Sequence, residues 1–113
     1  YLENIMLLTT LETLQGYEIT ETLGMVRANT VRTRHVGKDI LAALRNIIGG
    51  EIVEYTKMLA ESREQVMDRL ENNARELDAD AIVCIRFTTS AVMQGAAELL
   101  AYGTAVKLKK IQK

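Results

Sequence analysis

The sequence predicts an α+β domain of order β-β-α-α-β-β, in which a short and a long helix lie on one face of a largely antiparallel sheet. Three observations carry that expectation. From Glu51 to Leu77 the residues Ile52, Tyr55, Leu59, Val66, Leu70, Ala74 and Leu77 recur at helical spacing, with Ser62 the only polar step. The segments 17–33 and 96–109 on either side are instead rich in Thr, Val, Ile and Tyr or alternate at period two. Between the long helix and a shorter apolar pattern stands Gly49-Gly50, a hinge at which two helices meet.

Ile5 to Thr10 is a short apolar run ending in two threonines, read as a first strand at a sheet edge. Residues 12–16 are polar and end in Gly16, so they turn. Tyr17 to Thr33 forms a long second strand with Ile19, Leu23 and Met25 on one alternation, and Gly24 in its middle marks a bulge or bend. After Gly37, the residues Ile40, Leu41, Leu44, Ile47 and Ile48 give a short amphipathic helix, with Asp39 in its first turn against the positive helix end.

The long helix follows, about 40 Å at 1.5 Å per residue. Glu54, Lys57, Glu61, Glu64, Asp68, Glu71 and Arg75 draw its charged stripe. Asp78-Ala79-Asp80 breaks the period, and Ala81 to Phe87 is a strand. A turn over residues 90–95, with Gln94-Gly95 at its corner, leads to a last strand from Ala96 to Lys109. One side of that strand carries the small residues Ala101, Gly103 and Ala105, which let a helix or a neighbouring subunit approach closely. The lysines at 107, 109, 110 and 113 end it in a solvated basic tail that discourages edge pairing.

At 113 residues the chain is read as one domain, 1–113, and 48% hydrophobic content is enough for a packed core. A net charge of −1 removes the electrostatic footprint of non-specific nucleic-acid binding, and a single Phe with four Tyr and no Trp makes a run of base-stacking aromatics unexpected. Cys84 has no internal disulfide partner, which fits a reducing cytoplasm. No apolar run reaches the length of a membrane span and the N-terminus lacks a signal-peptide pattern. The expected location is cytoplasmic, with no membrane partner.

Gly16-Tyr17, Val36 to Ile40, Leu44-Arg45-Asn46-Ile47-Ile48-Gly49-Gly50, Glu54-Tyr55, Ala79 to Val83, Arg86-Phe87 and Tyr102-Gly103-Thr104-Ala105-Val106 together resemble the YbjQ-like family of small bacterial and archaeal proteins. The resemblance spans nearly the whole chain. It implies an α+β subunit that assembles into a ring-shaped homopentamer, with short strands exchanged at the interfaces, and it carries a provisional heavy-metal-binding label. Two positions depart from the pattern. Asp78 and Cys84 stand where such sequences usually carry glycine, so the left-handed helix cap at Asp78 is expected to be lost. A thiol particular to this chain is also a poor candidate for a shared family ligand.

Soft metals take thiolates and imidazoles in sets of three or four, and this chain has one Cys and one His. The metal candidates are therefore His35, otherwise an exposed turn histidine, and Cys84, otherwise a small buried hydrophobe; a site built on them needs several subunits. Arg45 lies in the short helix and Arg86 interrupts an apolar strand, so each calls for a partner such as Asp80, Asp39 or Glu54. Asp39, Arg45 and Arg86 are accordingly anion or interface candidates. No triad, nucleophile elbow or metalloprotease signature is present. The functional expectation is a non-enzymatic, pentameric binding module for a heavy-metal ion or small ligand at subunit interfaces. The alternatives are an enzyme with a site shared between subunits and a protein-binding scaffold.

Overall fold

The computed structural model describes residues 5–33, 53–93 and 96–111. Within them the order is β1 (Leu7–Leu8), β2 (Tyr17–Thr33), α1 (Val53–Arg75), β3 (Ala81–Met93) and β4 (Ala96–Lys110). One helix is thus described where two were expected; the shorter one read over Ile40 to Ile48, the Gly49-Gly50 hinge and the Gln94-Gly95 corner lie outside the described residues.

The four strands form one sheet in the order β1-β3-β4-β2. Its long pairs are antiparallel, β2 with β4 and β3 with β4, but the short β1 runs parallel to β3, pairing Leu7 with Ala81 and Leu8 with Ile82. The sheet is therefore mixed. β3 continues to Met93, six residues beyond the end read from the sequence, and with β4 makes a long arm. The molecule measures 60 × 25 × 24 Å with a radius of gyration of 18.2 Å. A compact chain of this length has a radius near 13 Å.

The helix stripe is buried as its period dictates: Ser62, Val66, Leu70 and Ala74 expose 1% or less of their surface. They pack with Val26, Ala28, Ile82, Ile85, Leu99, Ala101 and Ala105 on the sheet, each buried Val, Leu or Ile contributing about 1.5–3 kcal/mol by leaving water. Leu77 does not extend the stripe and is 43% exposed, because the helix has already ended. Asp78 donates its N–H to the Arg75 carbonyl at 3.0 Å and Ala79 to the Ala74 carbonyl at 3.1 Å, the paired bonds of a Schellman cap. Asp78 adopts φ 60° to make them. The expected loss of the left-handed cap is thus corrected: Asp is among the few non-glycine residues that enter this region at modest cost.

The helix also guards a sheet edge. Arg69 Nη1 donates to the Asn29 carbonyl and Asn73 Nδ2 to the Arg27 carbonyl, both at 2.8 Å, while Thr30 Oγ1 donates to Gln65 Oε1 at 3.4 Å. Gln65, Arg69 and Asn73 are four residues apart, so one row of the helix reaches the edge of β2, meeting the Thr30 hydroxyl and the Asn29 and Arg27 carbonyls. The opposite sheet face carries a smaller core of Ala81, Val83 and Val106, to which Leu7, Leu14, Ile19 and Leu108 add.

Two irregularities bend the sheet at one level. In β2 the register shifts between Thr22 and Gly24, with Gly24 at φ 126°, the bulge that its glycine predicted. In β3 the register shifts between Val83 and Arg86, so that Cys84 and Ile85 together oppose Gly103, and Cys84 takes φ 57°. A β-carbon on Gly103 would lie 2.7 Å from Ile82 Cγ2 and 3.0 Å from the Val83 carbonyl oxygen. The small row of β4 thus admits the bulged side chains of β3 as well as α1.

A left-handed conformation costs a non-glycine residue about 1–2 kcal/mol, and glycine returns about 0.5–1 kcal/mol of that as chain entropy. Cys84→Gly is therefore expected to stabilise the fold by about 0.5–1 kcal/mol. Gly103→Ala should destabilise it by about 1–3 kcal/mol through overpacking. Urea denaturation of the two variants measures both; equal midpoints for Cys84→Gly and the parent would mean that the bulge is not strained.

Candidate functional site

The sheet face away from α1 is covered only in part. Residues 9–16 lie along β3 through Thr9 N–H to the Ile82 carbonyl, Ile85 N–H to the Thr9 carbonyl and Cys84 N–H to the Leu11 carbonyl, at 3.0–3.1 Å. Leu14 closes the smaller core beneath them. Beyond that cover no other described segment lies over the face, and the register sets its rows: Met25 opposite Thr104, then Arg27, Tyr102 and Arg86 side by side across three strands. Directly opposed residues on antiparallel strands share a face, with β-carbons about 5 Å apart.

At the bend a concave space of about 340 Å³ is lined by Met25, Cys84, Arg86, Tyr102, Gly103 and Thr104. Arg86 is exposed, and its Nη1 donates to the Thr10 and Ile85 carbonyls, each at 2.9 Å. The carboxylate partner that its place in an apolar strand suggested is therefore replaced by two main-chain carbonyls. Asp80 is engaged elsewhere: its Oδ2 accepts from Leu108 N–H at 2.8 Å and its own N–H donates to the Val106 carbonyl at 2.9 Å. Asp80 holds the chain of β4 against the helix exit. A second space of about 340 Å³ opens beside it, among Ile5, Met6, Arg75, Asp78, Ala79 and Lys107. Its charges are of both signs, and Arg75 reaches Glu71 at 3.8 Å.

Of the residues singled out from sequence, Cys84 and Arg86 meet at the bend, while His35, Asp39 and Arg45 lie outside the described residues. Cys84 is half-buried, and the described residues bring no group of three or more His, Cys, Asp or Glu together. Sequence reasoning missed Arg27 and Tyr102. The signal for them was available in the strand register, which aligns them with Arg86 only once the β3 bulge is counted. Among the described residues no helix is long and apolar enough to cross a membrane.

The fold and face together define a class: a small α+β subunit with a bent mixed sheet, one face helix-covered and the other partly open. The chain belongs to the YbjQ-like family, whose model, described as "putative heavy-metal-binding", matches residues 6–109. Its relatives include a UPF0145 protein of Archaeoglobus fulgidus, 56% identical over 96% of this chain and all of the relative. Others are a UPF0145 protein of Dehalococcoides mccartyi, 54% identical over 89% of this chain and 97% of the relative, and one of Thermosipho africanus, 52% identical over 93% and 97%. A solved structure of a protein of unknown function from Pediococcus pentosaceus, assigned to the DUF74 family, shares the fold with a TM-score of 0.63. It is 18% identical over 92% of this chain and 98% of that one. A soft-metal site needs three or four donors. Within the described residues the thiol of Cys84 is a single such donor, so these residues alone do not complete a site.

Arg86 ties residues 9–16 to β3 through two carbonyls. Arg86→Ala is expected to cost about 1 kcal/mol and to raise hydrogen exchange at Cys84 and Ile85, whose N–H groups bond to that segment. Unchanged exchange at both amides would show that the main-chain bonds and Leu14 hold the segment without Arg86.

Proposed function

We propose that this chain is the subunit of a homo-oligomeric binding module, a homopentamer, that takes up a small ligand or heavy-metal ion where its subunits meet and performs no chemistry of its own. The observation that carries the reading is the unequal state of the two sheet edges. On the outer edge of β2 the Arg27 and Asn29 carbonyls accept from helix side chains. The outer edge of β3 from Arg86 to Met93 has no strand against it among the described residues, and Phe87 on that edge is 45% exposed. A long open edge with an exposed aromatic is a template for pairing with another chain. Pairing it with a different surface of the next copy gives a head-to-tail contact that closes into a ring. The number five is what the resemblance to the family implies, and the metal ion follows the description of the family's model.

Symmetry would also supply what one chain lacks. Repetition around an axis would turn single donors such as His35 and Cys84 into sets, and Asp39, Arg45 and Arg86 are the charged candidates for the junctions. The module works in the cytoplasm, where Cys84 stays reduced.

Light scattering on purified protein is expected to give about five times the 12.6 kDa subunit mass. Phe87→Asp should lower that mass without lowering the helix signal in circular dichroism; a monomer mass for the parent chain would overturn the assembly. Elemental analysis of the same sample, purified without metal-affinity steps, tests the ion. One metal per subunit or per ring supports it, and a metal-free ring leaves the small ligand as the cargo.

A further inference from the structure

The row Arg27–Tyr102–Arg86 on the sheet face away from α1 is not used by the core, and Arg27 and Tyr102 have no part in the assembly proposed above. Tyr102 is 38% exposed between the two arginines, and neither guanidinium has a carboxylate partner among the described residues. Arg86 spends its Nη1 on the Thr10 and Ile85 carbonyls, which fixes the group and leaves its Nη2 and Nε donors. Thr104, beside Tyr102 in the same concave space, adds a hydroxyl, and Met25 adds an apolar wall. The outer strands of the row are two strand spacings apart, about 10 Å, which leaves room for a flat ring over Tyr102 between the two cationic side chains.

We infer that this row is a binding site for a small anion that carries a planar ring, such as a nucleoside monophosphate. The ring stacks on Tyr102 and the anionic group is held by the Arg86 fork and by Arg27. Each part follows from general chemistry. A phenol ring offers a stacking surface for any planar heterocycle, a guanidinium binds phosphate oxygens through two parallel N–H groups, and among the described residues no carboxylate pairs with either arginine to offset their charge. The competing account is that the two arginines only lie against the tyrosine ring as cation–π partners. It predicts no dependence on a ligand's ring. The overall charge of −1 does not oppose the site, since the field of this face is set by its nearest groups at physiological salt.

The inference rests on the reading of the chain as a binding module but not on its oligomeric state, because every group of the site belongs to one chain. Isothermal titration at constant ionic strength with adenosine 5′-monophosphate, adenosine and inorganic phosphate tests it, with light scattering on the same samples. The monophosphate is expected to bind about tenfold more tightly than phosphate, the step that one stacked base supplies, and about tenfold more tightly than adenosine, the step that a charge-assisted guanidinium contact supplies. Tyr102→Ala should remove the advantage over phosphate, and Arg27→Gln should weaken the monophosphate about tenfold. Arg27 makes no side-chain bond to the main chain of segment 9–16, so its variant separates ligand contact from the tether that Arg86 also provides. A monophosphate no tighter than phosphate, or one bound unchanged by both variants, would overturn the site. Binding by a sample that scatters as a monomer would sustain it while the assembly fails.

Discussion

Two residues of β3 facing one of β4 is the constraint on which the rest of this structure depends. At Cys84 and Ile85 opposite Gly103 the alternation of β3 slips by one. Ile82 faces the helix and Val83 the opposite side; a regular strand would then put Cys84 and Arg86 on the helix side with Ile82. The bulge instead returns Ile85 to the helix core and sends Arg86 to the open face, next to Tyr102. It also turns the Cys84 and Ile85 N–H groups towards residues 9–11, which become the cover of the smaller core. One left-handed residue thus decides which side chains are core, which are exposed, and where the sheet bends. Gly103 is its necessary counterpart, because any β-carbon there meets the displaced isoleucine.

The helix answers the same geometry from the other side. Its buried stripe needs a shallow surface, and Ala101, Gly103 and Ala105 supply one; its polar row then falls over the edge of β2 and bonds the Arg27 and Asn29 carbonyls there. The Schellman cap at Asp78 reverses the chain within a few residues, so that Asp80 reaches β4 and β3 begins in register with β1. Edge protection on β2 and an open edge on β3 are therefore consequences of one placement of α1 rather than separate features.

Much of this was legible in the residues. The stripe from Ser62 to Ala74 and the period-two pattern of β4 each fix a face by repetition, and their burial follows the pattern closely. Gly24 marked its bulge because glycine seldom sits inside a strand without a backbone reason. The bulge at Cys84 was hidden by the same logic: a cysteine there gives no sign of positive φ. Reading through it as a regular strand made Arg86 look like a buried charge in need of a carboxylate. Asp78 misled in the opposite direction, since its left-handed cap survives without glycine. The parallel pairing of β1 could not be read at all, because it depends on which edge a two-residue strand joins and not on its composition.

The register argues for the open face over the two other places where chemistry could reside. The cleft at the helix exit gathers both signs of charge, and its groups are committed: Asp80 to Leu108, Arg75 to Glu71. Cys84 sits in the bend as a single thiol whose backbone is already spent on the bulge. The row of Arg27, Tyr102 and Arg86 has the opposite character. Its side chains are anchored or aligned by the strands, yet their recognition edges are directed away from the core, and nothing in the fold requires two arginines to flank an exposed ring. Residues that stabilise little and yet are held in place are where a rigid sheet can present a surface to something outside itself.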